Sequence, residues 1–295
     1  MIPPTRVLAG VDFSECSRTA LALAGRVAVH VGGELTVVHV QDPTLTAAAR
    51  AAHVNLAAES AEELRRFIDA TPPAAMLRPG TFVICGAPGK ALCDIAAREQ
   101  ADVLVVGSHG MTGADRWLFG SNTERVVRLA RMSVLVVPTG WQAPRAGTAD
   151  LAGIGPVIAA VDLSEPGLSA IHAGARLARL LSTELTVLHV VPGLRVPDRW
   201  MPHASGLAAE AARTASAELD VLLSPLRKIV PITLQVVTGH VVESILRATE
   251  PRDAHQPLLV LGRRPTEDAD GALGTVVSRA LASLQVPMLI VHPDE

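Results

Sequence analysis

Short runs of apolar, mostly β-branched residues alternate along the chain with longer segments whose apolar residues recur every three or four positions. The runs predict strands and the longer segments predict amphipathic helices. In the first half the order is β-α-β-α-β-α-β-α-β, with strands predicted near residues 6–11, 35–40, 80–85, 102–106 and 133–137. These nearly continuous hydrophobic runs are typical of parallel strands covered on both faces by helices. The pattern therefore predicts an α/β fold with a doubly wound parallel sheet, whose ligands bind at the carboxyl ends of the strands.

Two predicted helices carry clear amphipathic patterns. Ser14 is a suitable N-cap for the first of them. Its apolar face is formed by Ala20, Ala24, Val27 and Val31. A second amphipathic helix, with charged residues on its outer face, is predicted over residues 46–70.

The second half of the chain repeats the first. VLAGVDFS at 7–14 returns as VIAAVDLS at 157–164, and LTVVHV at 35–40 returns as LTVLHV at 185–190. Later runs at 103–107 and 134–137 recur at 258–262 and 288–291 in the same order. The repeat predicts two domains of one fold, residues 1–140 and 156–295. A segment rich in Gly, Pro and Ala, residues 139–156, joins them.

The last strand of each copy, Val134–Val137 and Met288–Ile290, would lie at the edge of a five-stranded doubly wound sheet. Exposed edges of this kind pair readily with other strands. We therefore expect the two strands to pair within the chain and to form an intramolecular pseudo-dimer.

Composition narrows the class of protein. Hydrophobic residues make up 49% of the chain while aromatic residues make up 2%, so Ala, Val, Leu and Ile must build the cores. A net charge of -3 argues against nucleic acid as a partner, because phosphate backbones select basic surfaces. No apolar run is long enough for a membrane span, and the three cysteines lack metal-ligand spacing. We expect a protein of the reducing cytoplasm with neither a membrane nor a nucleic acid as partner.

The most informative stretch follows the fourth strand, where GSHGMTGADRWLFGSN occupies residues 107–122. Glycines allow positive φ and let backbone amides approach a ligand closely, and the amino end of a helix attracts anions. The candidate phosphate cradle consists of Gly107, His109, Gly110, Gly120, Ser121 and Asn122. The alternative is a plain strand-to-helix connection in which Ser121 caps the helix and His109 and Arg116 are exposed.

The spacing Gly-x2-Gly-x9-Gly-Ser, with VDFS at 11–14 and His-Val at 39–40, resembles the universal stress protein family, in particular its tandem members. The resemblance implies two Rossmann-like domains, similar to adenine nucleotide alpha hydrolases. It further implies that ATP, or ADP or AMP, binds with its phosphates on the loop, with Mg²⁺ accompanying ATP. Val11 and Asp12 would then lie at the adenine or ribose, and Val40 and Val106 would line the base. Asp12 has the alternative role of a charge or capping partner beside Ser14.

The second copy departs from this motif. Asp162, Val190, Gly262, Gly274 and Thr275 match the first copy, but Pro265 replaces the second glycine and the loop is one residue shorter. Proline has no amide hydrogen. Three added carboxylates, Glu267, Asp268 and Asp270, would repel phosphate, although Arg263 and Arg264 could partly offset them. The sequence predicts one tight site per chain, within residues 1–138.

These observations predict a stress-response protein that binds an adenine nucleotide in its first copy and acts as a nucleotide-dependent regulator. Two alternatives remain open at this point. One is a slow ATP hydrolase or adenylyl-transfer enzyme, for which His109, Asp115 and Arg116 are the candidates by position. The other is a dimerisation scaffold that binds no nucleotide. No Gly-x-Ser-x-Gly motif or paired acid and base marks a catalytic residue. The family resemblance also allows a homodimer.

Overall fold

The computed structural model describes residues 5–110, 120–142, 151, 153–193, 201–251, 255–264, 273–283 and 285–292. Its strands are β1 Arg6–Val11, β2 Glu34–Gln41, β3 Gly80–Cys85, β4 Val103–Gly107, β5 Ser133–Val137, β6 Ile154–Val161, β7 Leu185–Pro192, β8 Ile232–Gly239, β9 Gln256–Gly262 and β10 Met288–Val291. Its α-helices are α1 Glu15–Val31, α2 Pro43–Ala51, α3 Leu56–Asp69, α4 Pro72–Ala75, α5 Pro88–Arg98, α6 Ser121–Leu129, α7 Glu165–Leu180, α8 Met201–Leu223, α9 Val241–Ala248 and α10 Thr275–Ser283. A short 3₁₀ helix covers Leu226–Lys228.

All ten strands form one sheet, in the order β3-β2-β1-β4-β5-β10-β9-β6-β7-β8. Pairs within each half are parallel, and the first-half strands lie within one residue of their predicted positions. The predicted doubly wound α/β fold is confirmed for both halves. β6 begins at Ile154, inside the segment that the sequence assigned to the linker.

Helix α1 begins as the sequence predicted. The Ser17 amide donates to the Ser14 hydroxyl at 3.1 Å, which caps the helix, and Gly32 ends it with a left-handed φ of 64°. Of the predicted apolar face, Ala20 and Ala24 are fully buried, while Val27 is half-buried. The small alanines let the helix lie close to the sheet.

The amphipathic segment at residues 46–70 is two helices, not one. His53 has a φ of 57°, which breaks the segment after α2. The Asn55 side chain then accepts from the Ala58 amide at 3.2 Å and caps α3. The prediction of a single helix was wrong because it followed apolar periodicity and overlooked an asparagine that caps a helix more readily than it continues one.

The two halves join through their terminal strands. β10 pairs antiparallel with β5, with Met288 opposite Val136, Leu289 opposite Leu135 and Ile290 opposite Val134. The predicted pairing within the chain is confirmed. Each face of the joined sheet carries a hydrophobic cluster with residues from both halves, so the core is continuous across the junction. Among the described residues, no helix is long and apolar enough to cross a membrane.

Two helical glycines provide a test of how closely α1 packs. A Cβ at Gly25 would lie 2.7 Å from backbone atoms of Pro73 and Ala74, whereas a Cβ at Gly206 of α8 would meet nothing within 4 Å. We expect Gly25→Ala to lower the free energy of unfolding by about 1–3 kcal/mol, because backbone must shift. Gly206→Ala should raise it by about 0.5–1 kcal/mol through helix propensity. Urea unfolding followed by circular dichroism measures both, and changes of the same sign would contradict the packing.

Candidate functional site

The carboxyl ends of β1 and β4 bring the predicted site residues together. β1 pairs directly with β4, so the turn after Val11 and the loop after Gly107 leave the same edge of the sheet. β2 pairs with β1 on the other side and carries Val40 to this edge. This is where a doubly wound sheet binds its ligands.

Asp12 takes the helix-end role that the sequence offered as an alternative, and its carboxylate also faces the loop after β4. One carboxylate oxygen, Oδ1, accepts from the Ser14 amide at 3.1 Å and from the Ser14 hydroxyl at 2.6 Å, which orders the amino end of α1. The other oxygen, Oδ2, faces the loop, because a Cβ at Gly110 would lie 2.6 Å from it. Asp12 is therefore held in one orientation beside the candidate cradle.

The loop glycines permit close approach, not positive φ. At Gly107 a Cβ would lie 2.7 Å from the Cys16 sulfur, and at Gly120 it would lie 3.0 Å from the Ser108 carbonyl oxygen. None of the glycines at 107, 110 and 120 has a left-handed φ. Of the two properties that glycine offers, close approach is the one used here, because the tight contacts exclude a side chain. Asp115 and Arg116 lie outside the described residues.

Helix α6 presents uncapped amides to this edge. Its N-cap is Gly120, which has no side chain to offer, and Ser121 is the first helical residue and not the cap. The Gly120 amide donates to the Ser108 carbonyl at 3.1 Å, and the Thr123 hydroxyl donates to the Gly107 carbonyl at 2.8 Å. These bonds fix the amino end of the helix, where Ser121 and Asn122 are exposed. Uncapped amides at a helix N-terminus attract anions.

His109 is held by a buried hydroxyl that the sequence reasoning missed. Ser108 is 2% exposed, and its Oγ accepts from the Thr139 amide at 3.0 Å and lies 2.9 Å from His109 Nδ1. The other ring nitrogen, Nε2, is buried and has no hydrogen-bond partner among the described residues. The interpretation of His109 as merely exposed was wrong. When Nδ1 accepts from Ser108, Nε2 carries the proton and can donate to a ligand. A serine beside a glycine gave no signal in the sequence.

The three valines divide between the two faces of the sheet. Val40 and Val106 belong to the cluster that also contains Leu92 of α5 and Val126 of α6. Val11 packs instead into the cluster on the opposite face, and its carbonyl lies 3.0 Å from His39 Nδ1. Only Val40 and Val106 are therefore placed together on the side of α5 and α6.

In the second copy an arginine contacts Asp162, the residue that corresponds to Asp12. Asp162 Oδ1 accepts from the Ser164 amide at 3.2 Å and from its hydroxyl, as Asp12 does from Ser14. Asp162 Oδ2, however, is 3.2 Å from a guanidinium nitrogen of Arg264, the residue at the His109 position. Burial alone would raise the pKa of Asp162, but the hydrogen bonds from Ser164 and Arg264 outweigh it and hold the pKa below its usual value.

The other matched residues of the second copy are placed as follows. Val190 is buried, and a Cβ at Gly262 would lie 2.0 Å from the Pro166 carbonyl oxygen. Gly274 precedes α10, and a Cβ there would meet none of the described residues within 4 Å; Thr275 is the first residue of α10. Pro265, Glu267, Asp268 and Asp270 lie outside the described residues.

Arg263 does not face the second-copy loop, contrary to the expectation that it could offset the acidic residues there. It is 7% exposed, and its guanidinium donates to backbone carbonyls at the end of α6 in the first copy. Arg264 is engaged with Asp162.

The donor set of the first copy fits an adenine nucleotide. An anion would meet the amino end of α6, which no side chain of the described residues caps, and the buried Nε2 of His109; a planar base would meet Val40 and Val106. Within the described part of the chain, no group of three or more His, Cys, Asp and Glu side chains could hold a metal ion.

Comparisons with known proteins assign both halves to one family. The model of the universal stress protein family matches residues 4–138 and again residues 153–292. A universal stress protein of Mycobacterium tuberculosis is 31% identical over 134 residues, which are 45% of this chain and 41% of that relative. One of Thermus aquaticus is 28% identical over 134 residues, which are 44% of this chain and 96% of that protein. The chain thus spans about two fifths of the length of the mycobacterial relative.

A solved structure shows the same fold over the whole chain. A universal stress protein from Archaeoglobus fulgidus aligns with a TM-score of 0.67, covering 97% of this chain and 96% of its own, at 17% identity. With two consecutive matches to the family model and two copies of the fold in one sheet, this chain belongs to the universal stress protein family as a tandem, two-copy member.

Proposed function

We propose that the first copy binds ATP, or ADP or AMP, and that the protein acts as a nucleotide-dependent regulator in a stress response. The observation that supports this most is the uncapped amino end of α6 beside the buried, unpartnered Nε2 of His109. A buried polar atom without a partner costs about 1–3 kcal/mol, and a ligand that accepts from it recovers that energy. Phosphate accepts from both groups.

In this proposal each residue has one task. The amides of Ser121 and Asn122, with His109 Nε2, hold the phosphates, while Gly110 and Gly120 keep the path free of side chains. Val40 and Val106 line the base, and Asp12, fixed by Ser14, accepts from the ribose or adenine. Mg²⁺ would accompany ATP through phosphate oxygens and water, since Mg²⁺ commonly keeps several waters.

The second copy has a weaker site in this proposal. Arg264 already pairs with Asp162, and Pro265 has no amide for a phosphate oxygen. One lost charge-assisted hydrogen bond costs about 1.5–3 kcal/mol, or roughly ten- to a hundredfold in affinity. We therefore propose one tight nucleotide per chain.

Charge at the amino end of α6 tests the proposal without disturbing the fold. Ser121→Glu places a carboxylate where the helix dipole favours it, so the free energy of unfolding should be unchanged or slightly higher. The same carboxylate repels phosphate, and ATP affinity should fall at least about thirtyfold.

Thr275→Glu, the matched change at α10, should leave ATP affinity unchanged. Calorimetric titration with ATP, ADP, AMP and cAMP measures this. We include cAMP because one solved universal stress protein is a complex with it. Equal affinity of Ser121→Glu and the unmodified chain would refute the site.

A pair of glycine variants tests the stoichiometry. Gly120→Val adds a side chain whose Cβ lies 3.0 Å from the Ser108 carbonyl, and we expect tight binding to be lost. Gly274→Val has open space and should change the titration little. Two equivalent tight sites per unmodified chain would contradict the stoichiometry, and tight binding by Gly120→Val would show that the tight site lies in the other copy.

Replacing His109 separates binding from stability. His109→Leu removes the bond to Ser108 and also the buried, unpartnered Nε2, so the two effects on unfolding should nearly cancel. ATP affinity should fall about tenfold because one donor to phosphate is gone. Arg264→Leu, the matched change in the second copy, should leave the tight site unchanged. Phosphate release under saturating ATP decides the alternative of slow hydrolysis, which is removed if alanine at His109, Asp115 and Arg116 together leaves the rate unchanged.

A further inference from the structure

Arg263 is a buried cation that reaches from the second copy into the first. It follows β9 directly, and its backbone amide donates to the Val291 carbonyl at 3.1 Å. Its side chain crosses the junction, where Nη1 donates to the Val127 carbonyl at 2.7 Å and to that of Arg128. The second terminal nitrogen, Nη2, donates to the Ala130 carbonyl.

These acceptors are the carboxyl end of α6. The last carbonyls of a helix have no partner within it and carry the negative end of the helix dipole, which favours a cation. A guanidinium presents several donors in one plane, so a single side chain reaches three carbonyls. Burial lowers the pKa of Arg263, and only a deprotonated Cys93 beside it would oppose this effect. Burial also raises the pKa of the Cys93 thiol to about 12, so the thiol is uncharged near neutral pH and does not compensate the guanidinium. The helix end therefore supplies most of the compensation for a buried charge.

Both ends of α6 are consequently held from outside the helix. The amino end is bonded to the loop after β4 through Gly120 and Thr123. The carboxyl end is bonded to Arg263, with a weaker contact from the Cys93 sulfur to the Val126 carbonyl at 3.7 Å. A helix of nine residues spans about 14 Å, and a packed helix is a rigid element that can couple the positions of its two ends. A shift at one end therefore displaces the amides at the other.

The residue of the first copy that corresponds to Arg263 does not reach into the second copy in the same way. Ser108 stands in the first copy where Arg263 stands in the second, and it bonds to Thr139 and His109 of its own copy. Arg263 therefore lies at a loop position of the second copy but bonds to helix α6 of the first copy.

We propose that Arg263 is a positioning residue through which the second copy sets α6 of the first copy, and with it the affinity of the nucleotide site. Its effect on affinity rests on the function proposed above, whereas its hold on α6 is a property of the protein without ligand. The second copy thereby acts as a built-in support for the site of the first.

Arg263→Gln and Arg264→Gln form a matched pair of neighbouring arginines. Hydrogen-deuterium exchange of the full chain without ligand, read by mass spectrometry, follows peptides from α6. In Arg263→Gln the end of α6 near Ala130 should exchange about tenfold faster or more, since charge-assisted bonds are lost, while β1 peptides keep their protection. Titration with ATP and Mg²⁺ should show affinity about three- to tenfold lower. Arg264→Gln should change neither quantity.

Arg263→Lys is the control that distinguishes a local effect on α6 from a general loss of folding. The ammonium keeps the charge at the helix end but lacks the planar fork, so exchange and affinity should both fall between those of Arg263→Gln and the unmodified chain. Unchanged α6 exchange in Arg263→Gln would overturn the inference, as would faster exchange with unchanged ATP affinity. An unmodified chain that binds no nucleotide would end the proposed function, and the exchange of α6 would then decide alone whether Arg263 holds the helix. If peptides from all parts of the chain exchange faster in both Arg263→Gln and Arg263→Lys, Arg263 stabilises the whole fold and not α6 in particular, and the inference is also overturned.

Discussion

The structure depends on the antiparallel pairing of β5 and β10. Each is the last strand of a five-stranded sheet, and a strand in that position presents unpaired amides and carbonyls along one side. Pairing the two edges satisfies these groups and turns two sheets into one of ten strands. It also lets the hydrophobic clusters on both faces continue from one half to the other. The contact of Arg263 with α6 depends on this junction, because only here does the end of β9 come close to the end of α6.

The two copies share a fold but differ around the ends of their first and fourth strands. Asp12 and Asp162 accept from a serine two residues later in the same way, so the turn after the first strand is preserved in both. The loop after the fourth strand of each copy differs. In the first copy it offers uncapped amides and a buried histidine nitrogen, and in the second it offers two arginines that are already engaged. The two copies therefore keep the same core while the side chains of this loop make different contacts.

Close approach, more than backbone flexibility, explains why glycine stands at the candidate site. Gly107 is pressed against the Cys16 residue of α1, and Gly262 is pressed against the Pro166 carbonyl in the same place of the second copy. Both glycines let the first helix of each copy reach the end of a neighbouring strand. The amino end of α6 lies at the same edge of the sheet as Asp12, as the proposed binding of a base and its phosphates at this edge requires.

The strands, the doubly wound fold, the two copies and the pairing of their last strands were all predicted from the amino-acid sequence, because apolar periodicity and internal repetition can be seen without coordinates. It also singled out Asp12 and the loop from Gly107 to Asn122. The folded structure was needed to show that Ser108 holds His109 and that Val11 faces away from Val40. It was also needed to show that Arg263 bonds to α6 and does not face its own loop. Each of these depends on which side chains meet across strands and copies, and residues as far apart as Arg263 and Val127 leave no joint pattern in one sequence. The break between α2 and α3 was local and readable, but apolar periodicity obscured the capping asparagine.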